Sequence, residues 1–261
     1  MTLASVPGVH YWAHNDSGHA AVLFGLDREL QLRRRVRLAA SLRDPEDMTR
    51  FQHAGQAYLL IADVGDNRAR RAEVQVIWFP EPQGDAVTEL NRLSFSYPDG
   101  PRDVEAVSVD PQSGQLLLLS KREPSPHLYA LDFLNAQTQA RLLGKVHTLP
   151  PPRAEDLAAD PRHGAYSSQP TGMSIDPSGK RMVISTYARP YLYRRGDQQT
   201  WHQALEQPAL AVPMQRLEQA EAVSWDHDNN IIVLSEGHPT PWARARVEPK
   251  TSTAPTPLSA Q

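Results

Sequence analysis

The feature that most restricts how this chain can fold is a hairpin-sized pattern that recurs along it. It reads Glu105-Ala-Val-Ser-Val-Asp110, Thr171-Gly-Met-Ser-Ile-Asp176 and Glu221-Ala-Val-Ser-Trp-Asp226. Each copy opens on a polar residue, has Ser three places on and Asp five places on, then meets turn residues such as Pro111-Gln-Ser-Gly114 or Pro177-Ser-Gly179. Val107 and Val109, Met173 and Ile175, and Val223 and Trp225 alternate with smaller or polar neighbours, which is the period of a strand. The Asp and Gly residues that follow supply turn chemistry, so Asp110, Asp176 and Asp226 are expected to be turn formers. Leu116–Leu119 and Ile231–Leu234 are unbroken apolar runs, suited to strands covered on both faces.

A third strand follows in each copy, beginning at Leu128, Tyr191 and Ala243. A weaker fourth copy starts at Glu46-Asp-Met-Thr49 and continues through Tyr58–Asp63 and Val74–Phe79. A partial fifth, Tyr11–Gly18 with Ala20–Leu26, lacks an opening strand, which predicts a strand encoded upstream of Met1. Repeats that cannot cover both faces alone close into a ring. The expected fold is therefore all-β, a β-propeller of about five four-stranded blades with the first incomplete. Helical periodicity is confined to a turn around Arg153–Ala159. Residues 1–247 read as one domain. Residues 248–261, rich in Pro, Thr, Ser and Ala, read as a disordered tail.

Composition limits the function classes. With 27 basic and 30 acidic residues there is no basic excess for a general nucleic-acid binder. The absence of cysteine removes thiolate chemistry, disulfides and Cys-type metal centres. No apolar run is long enough to span a membrane, and Met1–Gly8 lacks the pattern of an export signal. The protein is thus expected in the periplasm or medium if an upstream signal was removed, and in the cytoplasm otherwise.

In a propeller the innermost strand of each blade begins at one rim of the channel, so Glu46, Glu105, Thr171 and Glu221 should converge there. Asp47, Asp103, Asp16, Asp63, Asp66 and Glu236 are nearby acids in the adjoining segments. Carboxylates sharing a small volume must be protonated, paired or bound to a cation. An all-oxygen donor set fits a hard cation, calcium first. Glu46, Asp47, Glu105, Glu221, Asp63 and Glu236 are the expected metal ligands. Asp16, Asp66, Asp103, Lys121, Thr171, Tyr187 and Arg189 are the expected ligand-binding groups. Arg33, Arg35 and Arg37 alternate with apolar residues, as on the exposed face of an outer strand.

The motifs Trp12-Ala-His-Asn-Asp-Ser-Gly18, Pro45-Glu-Asp47, Ile61-Ala-Asp-Val-Gly-Asp-Asn67, Tyr97-Pro-Asp-Gly-Pro-Arg-Asp-Val-Glu-Ala106, Pro170-Thr-Gly-Met-Ser174, Ala220-Glu-Ala222 and Ser235-Glu-Gly237 together resemble bacterial phytase-like β-propeller proteins. The resemblance covers about residues 9–247. It implies a propeller with acidic channel residues, bound calcium and hydrolysis of a phosphate or other ester. Two departures are that Thr171 stands where an acid would recur and that lysines are few. Two functions follow as expectations: a metal-dependent hydrolase of a phosphoric or carboxylic ester, taking a small anionic or ester-bearing ligand, or a non-catalytic module for a protein or glycan.

Overall fold

The alternating patterns become hairpins, and the hairpins become five sheets. The computed structural model describes residues 1–162, 164–237 and 240–247. The predicted tail, 248–261, lies outside them. The first blade runs from the inside outward through Thr2–Leu3, Tyr11–His14, Val22–Leu26 and Leu32–Leu38, with Ala86–Val87 added in parallel at its outer edge. The second holds Pro45–His53, Gln56–Asp63, Val74–Pro80 and Asn91–Phe95; the third Val104–Val109, Leu116–Ser120, His127–Leu131 and Arg141–Lys145. The fourth holds Pro170–Ile175, Arg181–Thr186, Pro190–Arg194 and Leu210–Ala211, and the fifth has three strands, Ala220–Trp225, Asn230–Ser235 and Trp242–Arg246. The five sheets form a β-propeller.

The opening strand missing from the first repeat is therefore present, as two residues too short to show a period: Thr2 pairs with Trp12 and Leu3 with Tyr11. A helix over Ala154–Ala159 matches the predicted turn. A second helix, Trp201–Leu205, carries no sequence period because it is barely one turn long; Thr200 caps it by accepting the Gln203 N–H. No helix among the described residues is long and apolar enough to cross a membrane.

Apolar side chains fill the gaps between neighbouring blades. Leu116 and Leu118 pack toward the second blade with Phe51, Leu60 and Val76, whereas Leu117 and Leu119 pack toward the fourth with Met182 and Ile184. This is why that run is apolar at every position: strand side chains alternate faces, and here both faces are core. Between the first and fifth blades the fully buried apolar set shrinks to Met1, Tyr11 and Ile232. The ring closes there through polar contacts. The Arg244 Nη2 donates to the Arg28 carbonyl at 2.8 Å, Arg28 pairs with Asp228 at 3.2 Å, and His227 Nε2 lies 3.0 Å from the Ala4 carbonyl.

An inner strand leaves one row of N–H groups without a ladder partner, and buried N–H groups must be satisfied. Side chains do this here. Asp47 Oδ2 accepts from Val107 N–H at 3.0 Å and Met173 N–H at 3.2 Å, while its Oδ1 accepts from Met48 N–H at 2.8 Å and faces the Met1 amine at 3.7 Å. Thr49 Oγ1 accepts from Val109 N–H and Ser108 Oγ from Ile175 N–H. Ser108 thus stitches the inner strand of the third blade to that of the fourth. Asp110, Asp176 and Asp226 cap their hairpin turns, each accepting a backbone N–H two or four residues on.

Candidate functional site

Four of the inner strands share a defect. Their pairing with the second strand slips between Pro45 and Asp47, between Val104 and Ala106, between Pro170 and Gly172, and between Ala220 and Ala222. The residue left out of the ladder is Glu46, Glu105, Thr171 and Glu221 in turn. A bulge bends the strand and re-aims the extra side chain. All four side chains consequently line one cavity of about 910 Å³ at the channel mouth, with Asp16, Lys121, Tyr187 and Glu236 also in its wall.

Thr171 is spent on structure, donating to the Ala220 carbonyl at 2.6 Å and lying 3.2 Å from Ser185 Oγ. The three glutamates differ in their partners. Glu105 is buried and forms a salt bridge with Lys121, whose ammonium also bonds the Tyr187 hydroxyl at 2.6 Å and sits 4.7 Å from its ring centre. Burial pushes Glu105 up to about 7 despite Lys121. Glu221 is pushed up to about 8 by burial and then by the Glu105 charge. Glu46 goes up to about 10, from burial first and then the charges of Glu105, Asp44, Asp16 and Asp103. Tyr187 is pushed up to about 12, mainly by burial.

Glu46 is the point where two carboxylate groups meet. Ligand oxygens of Asp16, Asp44 and Glu46 lie within 4.8 Å of one another, as do those of Glu46, Asp103 and Glu105. Asp44 is not among the residues expected from the sequence. Its carboxyl is raised by burial and by Asp16. Gly65 in the Asp63-Val-Gly-Asp-Asn67 motif explains itself here. A Cβ at that position would fall 2.0 Å from Glu46 Oε1 and 2.6 Å from Asp44 Oδ2, so only glycine leaves both carboxylates room. His14 also lines the cavity; burial drives it down to about 4, so the ring is neutral at ordinary pH.

Five of the residues singled out from the sequence lie outside the cavity wall. Asp47 sits among the inner strands with both oxygens engaged by N–H groups, so it is a structural hub rather than an open ligand. Asp63, fully buried, accepts from Arg43 and Asp44 N–H, Gln75 and Arg71, and these bonds outweigh burial to hold its carboxyl low. It fixes the loop that carries Asp44. Asp66 takes the Arg71 N–H at 2.6 Å, and its own N–H donates to Asp103. Asp103 is further held by Arg122 at 2.6 Å, while remaining in the Glu46 cluster. Arg189 points away, to Asp156 at 2.7 Å and Glu155 at 3.0 Å. Sequence alone hid the partners of Asp47, Asp103 and Arg189 because they come from other segments.

Oxygen donors in such number, without sulfur and with little nitrogen, suit a hard divalent cation. No protein-family model matches the chain, and no curated protein is significantly similar to it. Solved structures to which it is similar include an auxiliary nutrient binding protein from Bacteroides thetaiotaomicron (TM-score 0.46, 9% identity, covering 91% of this chain and 69% of that one). Others are a glucose dehydrogenase (TM-score 0.42, 10% identity, 95% and 96%) and a nidogen/laminin complex (TM-score 0.41, 14% identity, 86% and 74%). At such low identity and TM-scores they say nothing about what this chain binds.

Proposed function

We propose that the channel mouth binds a divalent cation, calcium first, through Glu46 with Asp44 and Asp16, and presents it to a small anionic or ester-bearing ligand. The observation that carries this reading is Glu46 itself. It is common to both carboxylate groups, yet among the described residues it has no hydrogen bond and no salt bridge. An uncompensated carboxylate among four others is stabilised either by a proton or by a cation. Asp103 and Glu105 already have Arg122 and Lys121, so the unmet demand lies on the Glu46, Asp44 and Asp16 side.

A divalent cation held there would polarise a phosphoryl or ester oxygen and lower the pKa of a water it carries. For their part, Lys121 and the Tyr187 hydroxyl offer positive charge and a hydrogen bond to the ligand's anionic group. The resemblance to phytase-like propellers supports the same reading. The pairing of Glu105 with Lys121 favours a second one, in which the site binds without catalysing.

Calorimetric titration of chelator-treated protein with calcium and then magnesium tests the cation. Binding to the wild type that Glu46→Gln abolishes is the expected result; no heat from either ion at millimolar concentration overturns the proposal. Aryl phosphates, aryl esters and lactones, each with and without calcium, then separate the hydrolase from the binding module. Calcium-dependent turnover lost in Glu46→Gln selects the former, and rates equal to buffer select the latter.

A further inference from the structure

The cavity at the channel mouth has an apolar wall that its carboxylates do not use. Beyond them it enters the seam between the first and fifth blades, lined there by Met1, Ala13, Phe24, Leu26, Ala222 and Leu234. Ala13 pairs across strands with Phe24 on the first blade, and Ala222 with Leu234 on the fifth. Cross-strand partners point to the same face, so each side of the seam presents one small and one large apolar group. The carboxylates follow closely along the chain. Asp16 is three places past Ala13, Glu221 one before Ala222 and Glu236 two past Leu234.

At other seams the same positions are closed. Ala106 and Leu119, the counterparts of Ala222 and Leu234 on the third blade, are fully buried, with Met173 of the fourth blade's inner strand in their cluster. On the fourth blade the counterpart of Ala222 is Gly172. A Cβ there would already lie 2.9 Å from Ser185 Oγ and 3.5 Å from Val223 Cγ1 of the fifth blade. At the seam between the first and fifth blades, by contrast, Ala13, Phe24, Leu26, Ala222 and Leu234 all stay half-buried. The short opening strand is the cause. Thr2–Leu3 has two residues where the other inner strands have six or nine, so Met1 is what the first blade's inner edge offers as cover.

We propose that the seam takes the apolar chain of the ligand whose anionic or ester head meets the cation, so that the site selects single-chain amphiphiles over compact polar anions. For the head, this rests on the cation reading above. Phe24 and Leu234 would hold the chain from opposite walls, while Ala13 and Ala222 leave it room. Two observations favour this occupant. The apolar wall is continuous with the carboxylates inside one cavity of about 910 Å³. A cation with one carboxylate or phosphate group displaces only a few waters, at about 30 Å³ each, and leaves most of that space unfilled. Covering half-exposed apolar side chains is favourable in proportion to the area removed from water.

The test is calorimetric titration of the calcium-loaded full chain with acetate, butanoate, hexanoate and octanoate, and in parallel with the matching n-alkyl phosphates, all below their micelle-forming concentrations. The two series distinguish a carboxylate head from a phosphate head. Affinity in at least one should grow about two- to four-fold per methylene, the upper figure being that of full burial. Phe24→Ala and Leu234→Ala, one on each wall, should each cut the ratio of octanoate to butanoate affinity about five- to ten-fold. That ratio cancels any change at the head, and thermal melting identifies a variant that fails to fold, leaving the other to decide. Affinity that does not grow with chain length in either series while calcium binds overturns the proposal and leaves the cation reading standing. Growth that a folded variant on either wall leaves unchanged overturns it as well, as does growth of the same size in chelator, which would detach the chain from the cation. Failure of the cation reading is seen separately, as no heat from calcium before any amphiphile is added.

Discussion

Replacing Glu46 with Gln removes one charge and almost no volume, so it isolates the electrostatics of the channel mouth. The carboxyl ordinarily titrates at 4.5 and is raised in the folded chain to about 10. A raised carboxyl means that the native state keeps a proton the unfolded chain releases. Stability contributed by that proton is fully present below the unfolded value and is lost as pH rises toward the folded one. Each pH unit in that interval costs about 1.4 kcal/mol at most. At pH 7 the interval spans roughly 2.5 units, which sets a ceiling of about 3 kcal/mol. Because Asp44, Asp103 and Glu105 share the same field and can adjust, the realised effect is on the order of 1–3 kcal/mol. Urea midpoints in chelator should therefore coincide for wild type and Glu46→Gln near pH 4.5. At pH 7–8 the variant should be the more stable, by that amount. Calcium at about a hundred times its dissociation constant should add about 2.7 kcal/mol to the wild type alone. A variant less stable than wild type at pH 8 without cation would refute the reasoning, since it would mean that protein groups already compensate Glu46.

Asp47→Ala leaves the N–H groups of Val107, Met173 and Met48 without their acceptor and should cost about 3–6 kcal/mol in urea unfolding; a loss below about 1 kcal/mol would deny it the hub role. Lys121→Met strips Glu105 of its buried counterion and should destabilise by about 3–5 kcal/mol at pH 8, with much of the loss recovered at pH 5, where Glu105 is protonated. Arg189→Ala should raise hydrogen exchange across Ala154–Ala159 while leaving calcium affinity unchanged; a loss of calcium affinity would return Arg189 to the channel mouth.

Much of this architecture was legible because strand patterns are local. The alternation at Val107 and Val109, the unbroken Leu116–Leu119 run and the Asp turns each depend on a few adjacent residues, and the sheets form where they point. The bulge positions Glu46, Glu105 and Glu221 were legible for a different reason: nothing in turn or strand chemistry asks for Glu there. What escaped was set by distant partners. Asp47 and Glu46 are neighbours in the chain, yet one is consumed by N–H groups of two other blades and the other is left open. Asp44 joins the cluster only because Gly65, from the far end of another strand, makes room for it. Arg189 stands two places past Tyr187, which follows its strand as Lys121 does, but the helix Ala154–Ala159 claims it.

The join between the first and fifth blades bears on how a ligand gets in. Among the described residues no strand is shared across it, and its fully buried apolar set is Met1, Tyr11 and Ile232, flanked by half-buried apolar residues such as Leu3, Leu26 and Leu234 and by polar contacts. Cooperative units with few buried contacts open first. The mouth straddles this join, with Asp16 and His14 on the first-blade side and Glu221 and Glu236 on the fifth. Were the ring to open first at this joint, the acidic cavity would open with it. A cation at Glu46, Asp44 and Asp16 sits on one side of this join, so it should slow amide exchange in Tyr11–His14 and Pro45–His53 while leaving Ala220–Trp225 free to open.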